Sequence, residues 1–226
     1  MELLSRYKNF IGGVLVGSLV VYAVAQFYTT KKLTQLEVSL THSIEKEMNE
    51  VRDLVEIIGS GGVTRSAEVT IIDCSPEERE LFETRLGQLD SGLNSSDLEE
   101  IDFLFSRCAP VHAVRRALVV LDFSRQLESL ESLIAQRKQI DSFEKFDDLL
   151  SDLKALLKVE EDITRLSLDI VYLQREILDK LLSGARVAGA DLDSQREAGA
   201  KLRQELQRAA TDAHDLRKSL SESWNG

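Results

Sequence analysis

The sequence predicts an all-α protein: an N-terminal transmembrane helix followed by long helices, helical hairpins and coiled-coil-like packing. Three observations carry this. An apolar run without charge extends from Asn9 to Thr30, leucine and isoleucine recur every three or four residues over most of the remainder, and only Pro76 and Pro110 interrupt 226 residues. Aromatics make up 6% of the chain, which favours long helices sharing narrow seams over a thick globular core.

The N-terminal run reads FIGGVLVGSLVVYAVAQFY at its centre. Twenty helical residues rise about 30 Å, the thickness of a bilayer's hydrocarbon core. Tyr7 at one end and Tyr22, Phe27 and Tyr28 at the other suit the membrane interface, and Lys31 and Lys32 close the span. A removable signal peptide is the rival reading, because Ala23-Val24-Ala25 before Gln26 fits a cleavage pattern. The long apolar run and the uncharged residues beyond that site favour an uncleaved signal anchor. Basic residues flank both ends, so the charge rule for orientation is nearly balanced. A short tail and a long C-terminal domain point to export of that domain, to the periplasm or the cell exterior. Gly13 and Gly17 form a G-x-x-x-G pair that would let two such helices approach, making a homodimer one option.

Leu33, Leu36, Leu40, Ile44, Met48, Val51, Val55 and Ile58 predict an amphipathic helix continuous with the span. Gly59-Ser60-Gly61-Gly62 should end it, and the β-prone Val69–Ile72 follows in a hinge. Ser75 reads as an N-cap, Pro76 as the first helical residue, and Glu77, Glu78 and Glu80 as acids favouring the helix start. This helix runs through Leu81, Phe82, Leu86 and Leu89, and Asp90-Ser91-Gly92 breaks it. Ser96 then caps a helix bearing Leu98, Ile101, Leu104 and Phe105. The two helices, about 22 and 18 Å long, are joined by a short connection and should be antiparallel. Their far ends carry Cys74 and Cys108, the only cysteines, so a disulfide between them is expected if the domain is exported.

Pro110 is expected to begin a new helix through Val114, Leu118, Leu121, Leu127, Leu130 and Ile134 to about Ile140. Asp141 to Glu144 resembles a capping box opening the longest helix, which reaches Leu182. Its seam runs through Phe146, Leu149, Leu153 and Leu156, then Ile163, Leu166, Ile170, Leu173 and Ile177, with a phase slip near Glu160. Asp191 or Asp193 should cap the last helix, whose Leu202, Leu206, Ala209, Ala213, Leu216 and Leu220 suit an antiparallel hairpin with its predecessor. The resulting division is a tail (1–8), the anchor (9–30), a membrane-proximal helix (31–58), a hinge (59–73), a helical domain with the cysteine hairpin (74–140) and a long helical hairpin (141–226).

Charge and motifs bound the function. The chain carries −11, of which residues 1–30 contribute +1 (Arg6 and Lys8 against Glu2), leaving −12 on the rest. Such a domain repels phosphate backbones, so nucleic acid is not expected as a partner. His42, His112 and His214 are scattered and no C-x-x-C exists, so no metal site or cofactor is expected. No nucleophile elbow, P-loop or dinucleotide fingerprint occurs, so no catalytic residue is assigned and an enzyme is not expected. The acidic clusters at Glu77, Asp97 and Glu160-Glu161-Asp162 read as solvated faces, and Arg115-Arg116 as ion-pair partners for the acidic hairpin. The expected function is a single-pass membrane-anchored structural or interaction protein, a tether or scaffold presenting its acidic domain to a protein partner. The alternative is a membrane-anchored sensory or ligand-binding helical domain.

Overall fold

The computed structural model describes the backbone of residues 2–62, 74–87, 95–140, 146–183 and 189–225. Within those ranges the side chains of 2–21, 23, 24, 86, 87, 95, 110, 112, 189–192 and 225 lie outside the description. The described residues form five helices: α1 (Glu2–Ser60), α2 (Pro76–Gly87), α3 (Ser95–Lys138), α4 (Asp147–Leu182) and α5 (Gly189–Asn225). No strand occurs among them, in agreement with the predicted all-α class. The β-prone Val69–Ile72, the break at Asp90–Gly92 and the capping box at Asp141–Glu144 lie outside the described residues.

α1 is one uninterrupted helix, and it ends at Ser60, one residue beyond the first glycine of its predicted stop. Gly62 N–H donates to the Ile57 carbonyl (2.8 Å) and Gly61 N–H to that of Ile58 (3.3 Å), closing a Schellman cap. Gly61 holds the left-handed conformation this cap requires, with φ of 69°. Gly59 therefore remains helical. The predicted apolar stripe is buried from Ile44 onward, whereas Leu33 and Leu36 are each half exposed. Among the described residues no helix is long and apolar enough to cross a membrane. Most side chains of the predicted span Asn9–Thr30, with Gly13 and Gly17, lie outside those residues.

α3 corrects a second boundary. The sequence rule starts a new helix at Pro110, but α3 runs through it from Ser95 to Lys138. Proline within a helix forfeits one backbone bond and crowds the preceding turn, at about 3 kcal/mol. Burial on both sides outweighs that cost: Ile101, Leu104, Phe105 and Cys108 precede the proline, and Val111 and Ala113 follow it. Hence α1 and α3, not α4, are the longest helices, with 59 and 44 residues against 36. The seam of α3 also differs from expectation. Val114 and Leu121 are 38% and 45% exposed, while Val119, Val120 and Phe123 are buried in their place.

α4 begins at Asp147 without a side-chain cap, and α5 begins at Gly189, so Asp191 and Asp193 fall inside that helix rather than before it. The predicted hairpin of these two helices is present. Gln195 Nε2 donates to Glu176 (3.2 Å), and Arg217 pairs with Glu160, so rising numbers on α5 meet falling numbers on α4. Gly199 is buried at this contact; a Cβ there would stand 3.4 Å from Leu173 Cδ2.

The chain separates into two compact units assembled from discontinuous segments. Residues Met1–Met48 and Leu130–Glu144 form one, and Asn49–Ser129 with Lys145–Gly226 the other. In the first, Ile44, Met48, Leu130 and Ile134 are the buried apolar side chains among the described residues, and Arg137 pairs with Glu37. The second holds α2, α4, α5 and the adjoining parts of α1 and α3. Two long helices, α1 and α3, thus each contribute to both units.

Candidate functional site

Three features of the second unit bear on function: the cysteine hairpin, a buried ion triad and a groove beside the only tryptophan.

The hairpin forms as its sequence implies. Ser75 caps α2 in a reciprocal capping box: Glu78 N–H donates to Ser75 Oγ (3.1 Å) and Ser75 N–H to the Glu78 carboxylate (2.9 Å). The adjacent Glu77 carboxyl is held below its ordinary range by its own backbone amide, with the Ser75 hydroxyl adding to the effect. α2 then runs antiparallel to α3. Arg85 reaches Glu100 (2.8 Å), Phe82 meets Phe105 edge-on at 5.8 Å, and Arg107 reaches Glu78 (2.7 Å). This register brings Cys74 and Cys108 together as predicted, with Cα atoms 5.1 Å apart and sulfurs at bonding distance, 2.01 Å. Leu178 of α4 closes the cluster of Phe82, Ile101, Leu104, Phe105 and the two cysteines. Arg175 ties α4 to α3 through Asp102 (2.6 Å) while also pairing with Asp179 (2.6 Å); both carboxylates raise its pKa, Asp179 the more.

The cysteines also lie near Glu78, and one donor atom of each of the three falls within 4.8 Å of the others. With the two sulfurs bonded to one another, neither can present the thiolate that binds a metal. Glu78 has its own partners in Ser75 and Arg107.

The ion triad is what the sequence reading missed. Glu160 is 0% exposed, and its two carboxylate oxygens accept from Arg116 of α3 and Arg217 of α5. Thr164 Oγ1 donates to the Glu160 carbonyl (2.9 Å). The spacing Leu153, Leu156, Glu160, Ile163 continues the three-four rhythm, so the apparent phase slip is a charged residue occupying a seam position. Arg116 likewise stands where the α3 seam expects an apolar residue, which explains the misplaced stripe at Val114 and Leu121. Arg116 is thus committed to Glu160 rather than to the acidic hairpin, whose carboxylates are met by Arg85 and Arg107. Gly59 serves the same arrangement, since a Cβ there would approach Arg217 Cδ to 3.3 Å. The neighbouring acids do behave as a solvated face: Glu161 is exposed, and Asp162 pairs with Arg165 (2.9 Å). A glutamate at an a/d-type position with arginines on two other helices is the signal that would have found the triad.

The groove has a volume of about 580 Å³ and lies between the last turns of α1 and of α5. Arg52, Val55 and Glu56 line one side, and His214, Lys218 and Trp224 the other. Arg52 lies over the Trp224 ring at 6.0 Å. His214 is exposed in this groove and His42 is exposed on α1; they share no site. His112 lies on α3, its side chain outside the described residues. No protein family, curated protein or solved structure matches the chain.

Proposed function

We propose that this protein is a single-pass membrane-anchored structural or interaction protein, a tether or scaffold. It presents its acidic helical domain outside the cytoplasm to a protein partner. The observation that carries the reading is the continuity of α1: the apolar run Asn9–Thr30 and the core-forming residues Ile44–Ile58 belong to one helix of 59 residues. The 22 residues of the apolar run, at 1.5 Å each, rise about 33 Å, the thickness of a bilayer's hydrocarbon core.

Three further facts support it. Tyr22, Phe27 and Tyr28 are exposed at the end of the apolar run, and Lys32 lies over the Tyr28 ring at 5.3 Å, an arrangement suited to a membrane interface. The paired cysteines suit an oxidising compartment. The charge of −11 keeps the exposed helices soluble and argues against a nucleic-acid partner. Gly13 and Gly17 leave room for a second copy within the bilayer, so homodimerisation through the anchor belongs to the same proposal. The reading assigns no catalytic step and no cofactor.

The test is fractionation of native membranes with high salt and then alkaline carbonate, followed by protease treatment from the outer face. The full-length chain should stay with the membrane, and added protease should degrade the domain without lysis. Release as a soluble chain beginning at Gln26 would establish the signal peptide instead. Protection of the domain until lysis would reverse the orientation.

A further inference from the structure

We propose that a pocket walled by α2, α3 and α4 binds a phosphate group, either inorganic phosphate or the terminal group of a phosphomonoester. This goes beyond the tether reading and does not depend on the membrane anchor.

The first observation is the lining. The pocket has a volume of about 360 Å³, lies within the second unit and is lined by Arg79 of α2, Arg115 and Arg116 of α3 and Ser167 of α4. Among the described residues no Asp or Glu lines it, although the chain carries −11. The second is the charge balance. Glu160 brings one negative charge to two arginines, so the triad of Arg116, Glu160 and Arg217 keeps +1. Arg79 is half-buried and forms no ion pair among the described residues, which makes the local sum +2. Arg115 is left out of this sum because it has an interaction of its own. Partly buried cations without counter-charge are costly, and an anion entering the pocket offsets that cost. The third is access. Arg116 gives Nη2 to Glu160, yet its side chain keeps 29% of its surface and only Nε is buried without a partner, leaving Nη1 as an open donor.

Together these observations select the ligand. A carboxylate or a chloride ion carries one charge and leaves the other cation uncompensated. A phosphomonoester carries about −1.5 to −2 at neutral pH and three terminal oxygens, enough to accept from two guanidinium forks. Ser167 adds no donor, since its hydroxyl already donates to the Ile163 carbonyl (2.7 Å). The acidic surface does not keep a small anion out, because at physiological salt its field is screened beyond about 8 Å. A nucleic-acid backbone must instead lie along that surface, which is why the same net charge disfavours it.

The experiment titrates the full chain in non-ionic detergent, at fixed ionic strength, with inorganic phosphate, glycerol 3-phosphate and acetate, reading heat and melting temperature. Two charge-assisted contacts should give saturable phosphate binding, with Kd of about 1 mM or tighter and a rise in melting temperature. Acetate should bind more weakly by about tenfold or more. Glycerol 3-phosphate binding tighter than phosphate assigns the site to an ester, and the reverse order assigns it to the free ion. Arg79→Gln should weaken phosphate by about tenfold or more. It should not lower the melting temperature in phosphate-free buffer, because Arg79 has no ion pair to lose among the described residues. Arg208→Gln removes the same charge from an exposed position on α5, away from the pocket, and should leave binding unchanged. Absence of saturation by about 20 mM phosphate would overturn the proposal. So would acetate binding as tightly as phosphate, or equal weakening by Arg208→Gln and Arg79→Gln, the mark of a diffuse counter-ion effect.

Discussion

Neutralising Glu160 removes the shared partner of two arginines at once. Its carboxylate is fully buried and bridges Arg116 and Arg217, so Glu160→Gln keeps the volume while leaving two cations without their counter-charge. Breaking a buried ion pair by removing one member costs about 3–5 kcal/mol. The arginine side chains retain 29% and 20% of their surface, which lets water relieve part of the penalty. The expected loss is therefore at the lower end, about 3 kcal/mol. For a chain of this size that corresponds to a fall of about 6–12 °C in melting temperature. Arg116→Met and Arg217→Met each leave one pair intact and should cost less, about 1–2 kcal/mol apiece. The decisive comparison is Arg116→Met, Glu160→Leu and Arg217→Met together: with no charge left behind, stability should return to within about 1 kcal/mol of the parent. Thermal and urea unfolding followed by circular dichroism at the helical band measures all four. If Glu160→Gln cost less than about 0.5 kcal/mol, the scale of an exposed pair, the triad would not be a buried electrostatic unit.

Cys74→Ser and Cys108→Ser should lower the melting temperature by similar amounts, and the double variant by no more than either. The cross-link spans 34 residues, for which loop entropy gives about 4 kcal/mol; mass spectrometry of alkylated, non-reduced protein identifies the bond. Acidification should also destabilise the fold. Glu77, Glu176 and Glu197 are held below the ordinary glutamate range by the Glu77 backbone amide, Lys180 and Lys201 respectively as the leading causes. The unfolded chain then binds protons that the folded one does not, so their contribution is present above the unfolded pKa and lost as pH falls through the lowered values. All three lie on the surface, so the effect should be small and shrink with added salt, which melting curves on either side of that window will show.

The cysteine hairpin was legible in the sequence because its information is local. Ser75, Pro76 and Glu78 specify a helix start, a short connection forces the next helix back, and α2 then pairs with a first stretch of α3 of similar length, which brings Cys108 opposite Cys74 although α3 itself runs on to Lys138. The heptads of Leu202–Leu220 were legible for the same reason, since one face of one helix must be buried whatever covers it. All-α packing follows from that periodicity alone.

Tertiary contacts decided the rest. Pro110 should end a helix by its own covalent geometry, yet burial on both sides keeps α3 intact, and no local rule contains that sum. Glu160 and Arg116 look like interruptions of two apolar seams when each helix is read separately. Only when α3, α4 and α5 meet does each charge become the other's solvent, joined by Arg217 from a segment 57 residues away from Glu160. Gly59 shows the same division: as sequence it signals a helix stop, and in the fold it leaves room for Arg217. A helix boundary or an apolar stripe depends on near neighbours, which the sequence states. Burial of a charge depends on which distant side chain arrives to meet it, and that is fixed only when the helices pack.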